Sequence, residues 1–539
     1  MKKTLLLLTL ISTSIFSQTI TYGFSEEFET VKGYNFLGTI KCNSNELIKV
    51  SYKVRKPIRP YLQSMALQSF DNNVKSLLKQ EFILFPDNEK KQYNVGLFSL
   101  KNNTYWLYYG INNYIPSLFA LPFDKKVMKF DTSKIKLLDA DSYDLFFNFS
   151  VFTIKYSNDS SKMLVVYGIN PKNKKNNLYN KKVIVMGFNS KKMINNSINQ
   201  IIAINLFDTN LKKIYSAEIT IPILKDNLQA LKYSTDSKGN IYIIVGYLDN
   251  NKEYQSELFK VNQKDNTLQS VKINLEDKYI KTFYLKEDLN NNLIITGLYS
   301  NKKNKSSAAG AYIIKPEFDE NNILKKTKNT FSEYPAEVLK AYKSARMQRK
   351  MDKKNEEGNL EAENLQFKKI IFNSDGSTVI IAEEYSMQIS TGGVGKDAST
   401  SVYYTYGDIL VLKLDKLGKT IWCNKIPKYQ SSSNTDSDLS FHHHQHNGDN
   451  YFFYLDNEEN LNLSLNETPH PYANGFGIYL TCVKIGTDGK MVKNSIFNIK
   501  NEAKNLSPAS FESISENLII NYIKDDKKKT SKIFRIEIK

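Results

Sequence analysis

Residues 236–247, DSKGNIYIIVGY, set a short polar turn directly in front of a run of β-branched, aromatic and aliphatic side chains. Five other stretches repeat the pattern: NDSSKMLVVYG (158–168), DLNNNLIITGLY (288–299), NSDGSTVIIAEEY (373–385), HNGDNYFFYLDN (446–457) and ISENLIINYI (514–523). Turn residues at a fixed offset before an apolar strand, recurring at long intervals, mark a repeat fold in which each copy is one supersecondary unit. A unit of this kind cannot bury its apolar strand alone and must stack on its neighbours. The sequence therefore predicts an all-β chain, a single β-propeller of about seven blades, with six and eight as the neighbouring counts.

The intervening sequence fills in the units. Several strands are expected within residues 19–75, and from Gln92 the pattern becomes blade-like in QYNVGLFSL and NTYWLYYG. Further units run over about 145–220, 229–275, 281–334, 367–428 and 437–500. The last stretch holds only two or three strands, ENLIINYI and KIFRIEI. Closure of a propeller removes exposed sheet edges, so the strands after Gln18 are expected to complete this final blade.

One segment departs from the β pattern. Residues 336–354, AEVLKAYKSARMQRKMDKK, follow Pro335, contain neither Gly nor Pro and are rich in helix formers. They predict a basic helix with a polar tail, an insertion over 336–364. Leu339, Tyr342 and Ala345 would form a thin apolar stripe, while Lys340, Lys343, Arg346, Arg349, Lys350 and Lys353 cover the rest. Such a surface suits an anionic lipid or a partner protein, but a solvated insertion packed by one stripe and dispensable for folding explains the same residues.

The N-terminus bears on location. Lys2 and Lys3, the apolar stretch 5–11 and the small residues Ser12, Thr13, Ser14 and Ser17 match a secretory signal peptide. Cleavage is expected after Ser17, with Ser14 as the alternative, giving a signal over 1–17 and a propeller domain over 18–539. No later run approaches the roughly 20 apolar residues of a spanning helix, so no transmembrane segment is expected in the mature chain. The expected place is the periplasm or cell envelope, with an extracellular location as a further option. The formal net charge is +18, but the lysines are scattered rather than clustered, and no nucleic-acid partner is expected.

All five histidines lie between residues 442 and 470. In LSFHHHQHNGD, strand alternation would send His442, His444 and His446 to one face and His443 to the other. The three are the candidate metal ligands, for adventitious zinc or nickel, with His470 as an optional fourth. Side chains on one strand face are about 7 Å apart, which favours a plain polar strand, and no cofactor is expected. Cys42, Cys423 and Cys482 are too few for a disulfide framework, although a Cys423–Cys482 bridge between blades is conceivable.

Compact catalytic signatures do not emerge. STGGVGKDAST (390–400) lacks the Ser or Thr that follows the lysine of a phosphate loop and reads as a long hairpin tip. The carboxylate pairs Asp139 and Asp141, Glu383 and Glu384, and Asp436 and Asp438 are of the kind that arise by chance among 56 acidic residues. The stretch 365–497, with GSTVIIAEEY, YYTYGDILVLKLDKLGKTIWCNKIPK and YFFYLDNEENLNL, resembles a group of uncharacterised secreted Bacteroidetes proteins with propeller-like repeats. That resemblance implies location and fold, with no catalytic residue to carry over. Two functions are expected: a non-catalytic binding or scaffold protein whose partner is an envelope protein or glycan, or a glycan hydrolase or lyase with dispersed residues at the central channel.

Overall fold

The computed structural model describes residues 20–539 apart from 30–32, 43–45, 56–60, 72–75, 84–91, 113–114, 132, 141–142, 145–150, 170–198, 304–305, 393–398, 473–477, 504 and 526–527. The expected export segment, 1–17, lies outside these residues. The described strands form eight sheets of four or five strands, antiparallel throughout; seven are built of consecutive strands and the eighth also takes in the first strands of the chain. In chain order they cover 34–83, 92–139, 143–224, 228–272, 279–333, 365–433, 441–498 and 512–538 and are called sheets 1 to 8.

The six repeated sequences occupy one structural position. Each supplies the turn between the first and second strands of its sheet, in sheets 3 to 8. In sheet 4 the Asp236 amide donates to the Asn240 carbonyl and the Gly239 amide donates back to Asp236. The Asp236 carboxylate accepts from the Asn240 amide at 2.8 Å. Gly239 has φ +88° and Asn291, its counterpart in sheet 5, φ +61°, a left-handed backbone that Gly and Asn adopt at least cost. The strands that follow, such as Ile241–Leu248 and Leu293–Ser300, are buried on both faces. This explains their continuous apolar sequence. Fourth strands such as Lys213–Leu224 and Met491–Asn498 alternate between exposed and covered positions.

Packing between sheets follows the same cycle. Eight apolar clusters each join two consecutive sheets: Ile48 and Trp106 for sheets 1 and 2, Leu118 and Val165 for 2 and 3, Leu164 and Ile243 for 3 and 4, Ile244 and Ile295 for 4 and 5. The series continues with Leu298 and Ile380, Val411 and Phe452, and Phe453 and Phe534. The eighth cluster, Leu47, Phe70, Ile520 and Ile533, joins sheet 8 back to sheet 1. The arrangement is a propeller-like ring.

Sheet 8 is completed as the sequence suggested: Ile20–Phe24 pairs with Thr530–Ile538, and Phe28–Glu29 pairs with the same strand. Residues 34–83 form a full four-stranded sheet of their own, giving eight sheets where about seven units were expected. The insertion departs from expectation. It is two helices, α1 (Ala336–Lys340) and α2 (Ala345–Glu356), broken where Tyr342 takes φ +57° and Ser344 caps α2. One face packs on the propeller as expected, but it is broader than the thin stripe: Leu339, Glu361 and Ala362 are buried and Val338, Met351 and Leu360 pack on the core between sheets 5 and 6, while Ala345 is exposed.

Candidate functional site: the elaborated rim

In a ring of four-stranded meanders, first-to-second and third-to-fourth turns share one rim, and second-to-third and sheet-to-sheet connections share the other. Contacts between sheets agree: the Ser237 turn meets Glu287, and Gln445 meets Asn373 on the first rim, while Tyr342 meets Leu465 on the second. The first rim carries tight Asp-based turns at Asp208, Asp236, Asp288, Asp319 and Asp415. The second carries α1, α2, the long hairpin of sheet 6 and the 458–472 loop.

The sheet 6 hairpin is built from Thr378–Gly392 and Ser399–Leu414, paired out to Gly392 and Ser399. The hairpin reading of 390–400 therefore holds, and its tip, 393–398, lies outside the described residues. Pairing of Thr378–Gly392 with the first strand stops at Glu384, and pairing of the other arm with Gln430–Ser433 stops at Tyr403, so beyond that point the ribbon projects from the sheet. Directly paired residues share a face. Tyr385, Met387 and Ile389 thus lie on one face with Tyr406, Tyr404 and Val402. Tyr404 and Tyr406 rest against the core of sheets 7 and 8, whereas Met387 and Ile389 are 51% and 61% exposed.

A buried charge network supports this rim. Asp408 accepts from Lys343 at 2.9 Å, from the Lys428 amide at 3.1 Å, and pairs with Lys425 at 3.2 Å. Lys425 also donates to the Leu339 and Ala341 carbonyls, at 2.8 Å each, satisfying the open end of α1. Burial opposes ionisation of Asp408, but Lys425 and Lys343 outweigh it and hold the carboxyl below its ordinary range. Glu383 is fully buried and pairs with Lys428 at 2.8 Å and Lys368 at 3.0 Å, while Ser440 donates to it at 2.6 Å. A register shift between Glu383 and Tyr385 separates the two glutamates. Burial and the Asp408 charge push Glu384 upward, outweighing Lys343 at 3.9 Å, Lys425 and the Asp408 backbone amide, which oppose them. The pair is thus an element of inter-sheet packing, with Glu383 committed to lysines. On the tail of the insertion, Glu361 accepts from Ser300 at 2.8 Å, from the Asn301 amide at 2.8 Å and from Ser307.

Four of the five histidines lie in Phe441–His446, the first strand of sheet 7. His442, His444 and His446 face sheet 8, and His443 faces the other way, toward Lys369 of sheet 6. One constraint fixes the protons. The Glu516 carbonyl only accepts, so His444 Nε2 (2.7 Å) and His446 Nδ1 (2.8 Å) must donate to it. Neutral His444 then accepts from Ser513 through Nδ1 at 2.9 Å, which leaves the Ser513 oxygen to accept from His442 Nε2 at 3.0 Å. Asn447 donates to His446 Nε2 at 3.0 Å. Burial, with Lys369 and His444 alongside, pulls His442 down to about 3, and burial and Lys369 hold His443 far below its usual range.

The ring lone pairs of the three candidate ligands do not converge: those of His444 and His446 already accept hydrogen bonds from Ser513 and Asn447. Among the described residues, no group of three or more His, Cys, Asp or Glu side chains gathers as an ion site. His470 pairs with Glu459 at 2.9 Å beyond the Asn457 end of the neighbouring strand, whereas His446 lies opposite Asp449 at its start. Eight residue steps at ~3.4 Å separate those ends by about 27 Å, so His470 is not a fourth ligand. The cysteines are free. Cys423 packs between sheets 5 and 6 and Cys482 between 7 and 8, so the bridge does not form.

Sequence reasoning missed Asp408, Lys425, Ser513 and Glu361, since their partners lie far away in the chain. No family model and no curated protein sequence matches this chain. Similar solved structures include a prolyl oligopeptidase B from Galerina marginata, 9% identical with a TM-score of 0.37, covering 94% of this chain and 55% of that chain. The chain thus spans about half the length of that relative. The β-propeller domain of the Trilobed protease from Pyrococcus furiosus is 11% identical with a TM-score of 0.31, covering 73% of this chain and 92% of that one. A protein of unknown function from Dyadobacter fermentans is 9% identical with a TM-score of 0.27, covering 72% and 94%. These are likenesses of fold alone.

Proposed function

We propose that this chain is an exported, non-catalytic β-propeller whose eight sheets are its blades, and that it serves as a binding or scaffold protein of the cell envelope. The observation that carries this reading is the asymmetry of the two rims. One is finished with tight turns, while the other projects an aromatic ribbon and two helices from a buried ionic base. Binding residues concentrate on loops held by a rigid scaffold. The ionisable groups beneath this rim are committed to one another, with Glu383 on two lysines and Asp408 on two more.

Export and envelope location are part of the proposal and rest on the charged, apolar and small-residue pattern of 1–17. The test is a pulldown from cell-envelope fractions beside a glycan array, using the mature chain and a variant in which residues 386–405 are replaced by a two-residue turn. Capture of one protein or glycan class by the parent and not by the trimmed variant is expected. Equal capture by both would remove the rim from the reading, and turnover of an arrayed glycan would replace it with hydrolysis or lysis.

A further inference from the structure

We infer that α2 is a docking surface for an anionic lipid bilayer. Arg346, Arg349, Lys350 and Lys353 stand at i, i+3, i+4 and i+7, so they form a single stripe, and all four are exposed. Among the described residues none of the four is ion-paired. Nearby Lys354 is paired with Glu363 and Lys340 with Asp352. Glu356 and Glu357 lie past the stripe at the C-terminal end of the helix.

The opposite face of α2 fixes how the stripe is presented. Gln348 donates to the Lys343 carbonyl at 3.0 Å, to the Leu465 carbonyl at 3.1 Å and to Asn466 at 3.1 Å. Met351 packs on the core between sheets 5 and 6. The helix is therefore held in one rotational setting, with its cations outward.

Charge complementarity alone would suit any polyanion, and two apolar side chains narrow the choice. Met347 flanks the stripe and is 47% exposed, and Leu465, on the 458–472 loop that seats the inner face of α2, is 60% exposed. Cations beside exposed apolar side chains match the boundary of headgroups and acyl chains, where both are satisfied together. Each Lys or Arg close to an anionic leaflet strengthens binding roughly fivefold. This inference concerns the helix and is independent of whatever the aromatic ribbon engages.

The experiment is co-sedimentation of the mature chain with liposomes of phosphatidylcholine alone and of phosphatidylcholine mixed with phosphatidylglycerol. Binding to the mixed vesicles only, weakened by salt, is expected. Replacing Arg346, Arg349, Lys350 and Lys353 with Gln should lower it by about a hundredfold or more, and M347S with L465S by about tenfold. Circular dichroism and thermal melting of both variants check that the fold is kept. Equal binding to neutral vesicles, undiminished binding by the Gln variant, or no vesicle binding by the parent overturns the proposal. Undiminished binding by the Ser variant, with full competition by dextran sulfate, would reassign the stripe to a soluble polyanion.

Discussion

Ile20 and Ile538 face each other in one antiparallel ladder, the first described strand of the chain paired with its last. The pairing continues through Phe24 and Phe534, whose rings lie 5.2 Å apart, and Tyr22 stacks on Phe497 of sheet 7 at 4.8 Å. The N-terminal strand therefore covers both the open edge of sheet 8 and part of the core it shares with its neighbour.

Removing residues 20–24 should uncover that edge and lower the melting temperature by about 3 °C, the shift expected from losing a few kcal/mol in a chain of this size. A gain of concentration-dependent association should accompany it, because an uncovered edge strand pairs with other chains. Differential scanning calorimetry and light scattering of the truncated form check both, and an unchanged melting curve would contradict the closure role.

The insertion is expected to be needed for stability, contrary to the dispensable appendage suggested by its sequence. Leu339 is 5% exposed within the core between sheets 5 and 6, and Leu339→Ala should cost about 2–5 kcal/mol. Replacing 336–364 with a Gly/Ser linker should cost more, since it also leaves Lys425 without its two carbonyl acceptors and Ser300 without Glu361. Urea unfolding followed by tryptophan fluorescence measures both changes.

Acid stability should divide between two carboxylates with opposite signs. Asp408 is held below its unfolded value of 3.8, so its contribution is present above that pH and is lost as pH falls through the depressed folded value. Asp408→Asn should remove this acid limb and cost about 3–5 kcal/mol at pH 7, where it leaves two lysines facing a neutral group. Glu384 is raised above 4.5 and disfavours the folded state when ionised. Glu384→Gln should therefore raise the urea midpoint at neutral pH, and a fall would show that its contact with Lys343 outweighs its burial.

The histidines should add a milder slope at higher pH. His442 and His443 stay neutral in the folded chain while the unfolded chain takes up protons below 6.5, so stability should fall as pH drops from 6.5 toward about 3. Imidazole resonances of these two should show no titration between pH 5 and 8 by NMR, and His443→Asn should flatten the slope. Titration of either ring near pH 6 would contradict the neutral state that burial and Lys369 impose on both.

What the sequence made legible follows from how local each signal is. The turns of sheets 3 to 8 were readable because Asp, Asn and Gly satisfy the turn within five residues, as Asp236 does with Asn240. The extra sheet over 34–83 was not, because its strands run eight to eleven residues and none of the six turn copies falls within it. Histidine parity was readable because alternation is a property of any strand, but the roles of these residues were not, since Ser513 and Glu516 lie about 70 residues on. Helix propensity identified the insertion correctly but not the break at Tyr342, next to which Lys343 reaches Asp408, 65 residues away.

The ladder between Ile20–Phe24 and Thr530–Ile538 also sets an order of events during synthesis. As the chain emerges, sheets 2 to 7 can each find the preceding sheet already made, but the first strand must wait for residues at the far end before it has anything to pair with. Circularisation is then the final step, and the contacts that sheet 8 makes with sheets 7 and 1 form together or remain open. A ribosome stalled shortly before residue 530 would hold an open arc with Ile20 and Phe24 still unpaired, a species that a protease or chaperone can distinguish from the closed ring.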